Sequence, residues 1–112
     1  MQKDIWLDCD TGNDDAFAII LAGHNEKVNL IGISTVFGNN TVDKTTLNTL
    51  KITCISGLSH VKVHKGAGKP ILRPLGISEG IEVHGEEGLG KGVHIPEPSY
   101  THEKGSTLFN IY

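Results

Sequence analysis

Four aspartates, Asp8, Asp10, Asp14 and Asp15, stand within eight residues near the start of the chain. Carboxylates this closely spaced repel one another unless something positive sits among them, and their hard oxygens suit Ca²⁺ or Mg²⁺. The plainer reading is a solvated acidic turn with Asp14 as a helix cap, because acid at a helix N-terminus is stabilising. The preceding residues favour a site. Ile5-Trp6-Leu7 is a short apolar run that stops at Asp8-Cys9-Asp10, as a buried strand does when it delivers polar groups at its carboxyl end. In open α/β sheets that edge is where ligands bind.

Such a site needs elements to hold it. Thr11-Gly12 makes a turn, Asn13 or Asp14 is placed to cap, and a helix runs from Asp14 to His24. Its Ala16, Ile19, Ile20 and Gly23 share a face that Phe17 and Leu21 widen, so the helix is expected to be well covered. The β-branched run Val28–Val36 reads as a second strand, broken at Gly38-Asn39-Asn40. A second helix is expected over about Val42–Ile55, with Leu47, Leu50, Cys54 and Thr46 inward and Gly57 closing it. Val61–His64 is a short third strand. The alternation of strand and helix implies right-handed crossovers and an α/β fold, a Rossmann-like parallel sheet with flanking helices. Strand–helix repeats thus occupy about 4–65, and 66–106 form a Gly- and Pro-rich loop region with no sustained period. A loop that long inside one domain is usually functional or waits on a partner segment.

Composition excludes several classes. The 112 residues make one domain or part of one, with 38% hydrophobic and 21% charged residues. A net charge of -3 gives no basic surface for nucleic acid or anionic lipid, so neither nucleic acid nor membrane is an expected partner. No signal peptide is readable, and no segment approaches the roughly 20 apolar residues of a membrane span. Cys9 and Cys54 are too far apart for metal-ligand spacing and read as buried small hydrophobes, which points to a reducing cytoplasm. His24, His60, His64, His94 and His102 show no zinc spacing and read as solvated or local structural residues.

Two acidic motifs compete for the string. An EF-hand loop beginning at Asp8 needs Gly at its sixth position and Glu at its twelfth, where the chain has Asn13 and Ile19. A phosphohydrolase of the haloacid dehalogenase type also opens with a strand and Asp-x-Asp. It wants Thr or Val at the place of Gly12 and has no use for Asp14-Asp15, so it stands as the runner-up.

The whole string Leu7-Asp8-Cys9-Asp10-Thr11-Gly12-Asn13-Asp14-Asp15-Ala16 resembles the signature of the inosine–uridine-preferring nucleoside hydrolases. Thr11 stands where that family usually has proline, a change expected to loosen the turn without removing a ligand. The resemblance continues in order. Gly32–Asn39 is similar to the family's second strand and its Gly-Asn end, and Asn48 fits on the second helix, although Thr49 replaces the usual Ala. Gly66, Lys69-Pro70 and Leu72 resemble a Gly-x-x-x-Pro-Leu segment, and His84-Gly85-Glu86-Glu87-Gly88-Leu89-Gly90 resembles a His-Gly-x-x-Gly-Leu loop.

The resemblance implies hydrolysis of the N-glycosidic bond of ribonucleosides to ribose and free base, in salvage or catabolism, with Ca²⁺ as cofactor. It assigns Asp10 and Asp15 to the metal, and Asp10 also to the base that takes a proton from the attacking water. Asp14 is assigned to ribose hydroxyls, and Asn39 to the sugar or that water. His84 goes to the nucleobase side, against the plainer reading of an isolated surface histidine. Asp8 is assigned a supporting place behind the loop. The nucleoside is the implied partner; relatives often form homo-oligomers, with no interface readable here. Family members are longer, so residues 1–112 are expected to be the N-terminal part of a single domain, truncated, with part of the site elsewhere. The alternative is a non-catalytic truncated relative that binds only ribose or a metal, or pairs with another chain.

Overall fold

A computed structural model of the chain describes residues 1–74, 86, 88–90 and 94–103. Five elements follow in order: β1 (Lys3–Cys9), α1 (Asn13–His24), β2 (Val28–Thr35), α2 (Val42–Ile55) and β3 (Val63–Lys65). The strands form a parallel sheet in the order β1-β2-β3. Each crossover carries one helix, and both helices pack on the same face, where they touch each other. This is the expected α/β architecture. None of the described helices is long and apolar enough to cross a membrane.

Period-two alternation explains the layers. Ile5, Leu7 and Cys9 of β1 and Leu30 and Ile33 of β2 point to the helix side. There they meet Ala16 and Ile19 of α1, Ile52 of α2, and Leu58 and Val61 before β3. The opposite face is polar and aromatic: Asn29 donates to Asp4, Trp6 Nε1 donates to Ser34 Oγ at 3.0 Å, and the Trp6 ring lies 5.2 Å from that of His64. The register of β1 on β2 slips once, between Ile5 and Trp6, so Ile31 bulges outward.

Several boundaries and faces differ from the sequence reading. The third strand begins at Val63 rather than Val61, because Val61 N donates back to Leu58 O and keeps that residue in the turn. Helix α1 is not well covered: it buries Ala16 and Ile19, while Phe17 and Leu21 are 75% and 69% exposed. One layer of contact covers only a stripe of a helix, and these two residues face away from the sheet.

In α2, Leu50 and Thr46 are buried as expected, but Leu47 and Cys54 are only partly covered. The buried face instead carries Thr45, Thr46, Asn48, Thr49, Leu50, Ile52 and Thr53. Cys54 therefore departs from the expected buried hydrophobe, and its Sγ lies 3.3 Å from Ser99 Oγ. Cys9 does fit that reading, and burial pushes its thiol up to about 12. Beyond β3 the described residues form no helix or strand. Glu103 N donates to Val63 O, and Tyr100 Oη sits 2.5 Å from Thr53 Oγ1, which lays this stretch along β3 and α2.

Candidate active site

The site forms where β1 and β2 end side by side. Asp8 pairs with Ser34 and Cys9 with Thr35, so the residues that follow each strand emerge together. Thr11 is wholly buried, with its Oγ1 2.7 Å from Thr49 Oγ1 and 3.4 Å from Cys9 Sγ. The expectation that Thr11 loosens the turn is thereby corrected: its hydroxyl fastens the turn to α2. The two departures from the family pattern, Thr11 and Thr49, are hydrogen-bonded to each other. Gly12 is the cap of α1 and its carbonyl accepts from Ala16 N at 3.0 Å. Asn13 and Asp14, expected to cap, already lie in the helix, which leaves both side chains exposed.

Three sequence-predicted residues converge. Asp10 Oδ2 accepts from the backbone N of Asn39 at 2.6 Å across the gap between the strand ends. A Cβ at Gly38 would overlap that same carboxylate, so only glycine lets the backbone pass so close. Asp15, on the first turn of α1, lies within electrostatic reach of Asp10. Its carboxyl is raised above the ordinary value by burial first, then by the charges of Asp14 and Asp10. The Asn39 amide is buried and donates to Thr11 O at 3.3 Å and to Gly88 O at 3.4 Å.

The other assigned residues lie differently. Asp14 is exposed at the helix start beside Asp15. Asp8 alternates to the opposite face of the sheet, where Ser34 Oγ donates to its Oδ1 at 2.5 Å, so it ties the two strand ends together. His84 falls outside the described residues.

Two neighbouring carboxylates, one of them half-buried, repel each other unless a cation sits between them. Asp10 and Asp15 thus fit a hard divalent ion. Among the described residues no group of three or more His, Cys, Asp or Glu side chains surrounds one position. Two carboxylates fall short of the six to eight oxygens Ca²⁺ takes, so other donors must complete the shell.

Sequence reasoning missed the amides that bind Glu86 and Gly88 beside this turn. Asn40 is 2% exposed and its Nδ2 donates to Glu86 O at 2.6 Å, joined there by Lys44 Nζ at 2.9 Å. Asn48 Nδ2 donates to Thr11 O at 3.3 Å. Gly88 has φ +86, and a Cβ on it would press on the Nδ2 atoms of Asn39 and Asn48. The available signal was the run Gly38-Asn39-Asn40, which reads as a strand breaker until the buried amides find carbonyls.

Comparison with known proteins identifies the family. Residues 5–110 match the model of the family described as inosine-uridine preferring nucleoside hydrolase. The chain is 47% identical over 98 residues to a probable ribonucleoside hydrolase of Dictyostelium discoideum, covering 85% of this chain and 28% of that protein. It is 40% identical over 97 residues to the inosine-uridine preferring nucleoside hydrolase of Leishmania major, covering 87% of this chain and 30% of that one. The solved purine-preferring ribonucleoside hydrolase from Gardnerella vaginalis superposes with a TM-score of 0.89 at 33% identity, over 97% of this chain and 35% of that chain. The chain thus spans under a third of the length of these curated relatives. A phosphohydrolase of the haloacid dehalogenase type is set aside by the family match. The acidic turn, the crossing Asn39 and the sheet beneath them belong together: the chain is a member of the inosine-uridine preferring nucleoside hydrolase family.

Proposed function

We propose that the chain takes part in hydrolysis of the N-glycosidic bond of ribonucleosides, releasing ribose and free base. The observation that carries the reading is the bond from Asn39 N to Asp10 at the joined strand ends, with Asp15 within electrostatic reach of Asp10. Asp10 and Asp15 would hold Ca²⁺, whose contribution when bound is to lower the pKa of water and counter carboxylate charge. Asp10, fixed by the Asn39 backbone, accepts the proton from the attacking water. Asp14, exposed beside it, receives the ribose hydroxyls, and Asn39 orients the sugar or the water. Carboxylates under the ring oppose the positive charge that develops on the sugar as the bond breaks. His84 is assigned to the base side. The two free cysteines fit a reducing, cytoplasmic setting.

Among the described residues the donor set is two carboxylates, which predicts weak Ca²⁺ affinity. The test is base release from inosine and uridine with added Ca²⁺. One purine and one pyrimidine nucleoside are used because relatives described as purine-preferring and as pyrimidine-specific are both similar to the chain. Slow release that falls by about 10²-fold or more in Asp10→Asn supports the reading. Release unaffected by that change contradicts it. Ca²⁺ binding without release from either nucleoside is the outcome for the non-catalytic relative, the second reading.

A further inference from the structure

We infer that Asn40 and Lys44 are positioning residues: together they latch the backbone at Glu86 beside the acidic turn and thereby set the affinity of the site for nucleoside. This rests on the nucleoside-binding reading above. Both side chains donate to one acceptor, the Glu86 carbonyl, at 2.6 and 2.9 Å. Asn40 is itself fixed, because its Oδ1 accepts from Thr41 N at 2.9 Å, so its amide presents a preset donor. Two residues further on, Gly88 packs against the amides of Asn39 and Asn48, and its carbonyl accepts from Asn39. Glu86 and Gly88 are therefore each held, and Gly88 is held by the residue whose backbone binds Asp10.

The two points do different work. Asp10 keeps its bond to Asn39 N, and Thr11 O keeps Asn48, whether or not Glu86 is held. Loss of the Asn40 amide therefore loosens the hold on Glu86 while the acidic turn stays in place, which changes how tightly a nucleoside binds more than how its bond is cleaved. Lys44 shares the acceptor with Asn40, so the two effects are non-additive.

The test uses Asn40→Asp, which keeps the shape and the acceptor toward Thr41 but removes the donor, with Lys44→Met as a second variant. Amide hydrogen exchange of 86–90 is expected to quicken about tenfold in Asn40→Asp and less in Lys44→Met, with exchange of 3–9 unchanged. With Ca²⁺ present, inosine is expected to bind about tenfold more weakly to Asn40→Asp, with kcat within about threefold. Unchanged exchange at 86–90 in Asn40→Asp overturns the latch, whatever the chain does with nucleosides. Faster exchange with unchanged inosine affinity overturns its link to the site. Failure of the unsubstituted chain to bind inosine instead removes the nucleoside reading, and the exchange data still decide the latch.

Discussion

The two helices pack on the same face of one sheet and do so by opposite means. Helix α1 is rich in large apolar residues yet buries only Ala16 and Ile19, with Phe17 and Leu21 open to solvent. Helix α2 carries four threonines and an asparagine on its buried side. Each threonine hydroxyl has an acceptor: Thr45 donates to Val36 O, Thr46 to Val42 O, Thr49 to Thr45 O and Thr53 to Thr49 O. Two of them also meet partners across the interface, Thr35 for Thr46 and Thr11 for Thr49. Apolar packing is non-directional and holds α1 by area. Satisfied buried hydroxyls are directional, and they hold α2 in one register beside the site. Helix α1 carries Asp14 and Asp15 of the candidate site, while α2, which supports the turn before it through Thr49 and Asn48, is the one fixed by hydrogen bonds.

The contrast is broken most severely by Ile19→Ala. Ile19 is fully buried and contacts the sheet, so its truncation should cost about 2–5 kcal/mol, read as a lowered urea midpoint. On α2, Thr49→Val keeps the volume but leaves Thr11 without its helix partner, at a cost of about 1–2 kcal/mol. A cycle with Thr11→Val sharpens the point: a measurable coupling energy shows that the two departures from the family pattern act as a pair, and simple additivity shows that they do not.

A smaller, pH-dependent effect is expected on the far face of the sheet. Burial lowers the pKa of His64 from its usual 6.5, with Lys62 lowering it further and Glu103 opposing. The unfolded chain then binds more protons, so this contribution to stability is present above about pH 6.5 and is lost as pH falls through the folded-state value. Asp15, with a raised pKa, acts with the opposite sign at lower pH. Urea midpoints at pH 7.5 and 5.5 should differ less in His64→Gln than in the unsubstituted chain. The smallest effect belongs to α1: Phe17→Ser and Leu21→Ser should each shift stability by no more than about 0.5 kcal/mol.

The parts legible in the sequence were those with a period or a charge pattern. The strand–helix order, the bounds of α2 and the parallel pairing of β1 with β2 follow from β-branched runs, turn residues and crossover chirality. The acidic string marked its own place at a strand end. The threonine-lined face of α2 was not legible, because Thr45, Thr49 and Thr53 count as polar until each hydroxyl has a partner distant in sequence or a carbonyl one turn back. The exposure of Phe17 and Leu21 was missed for the reverse reason: an apolar pattern states what a helix can bury, and the sheet accepts only a stripe of it. Asn40 and Lys44 act on a carbonyl more than forty residues away, a contact that no local pattern encodes.

The central claim is that Asp10 and Asp15 form one cation site at the end of β1. Calorimetric titration of Ca²⁺ into the chain, Asp10→Asn and Asp15→Asn tests it without reference to turnover. Weak binding to the unsubstituted chain that either substitution abolishes is the expected result. Binding that survives both substitutions, or no binding by the chain itself, would contradict it.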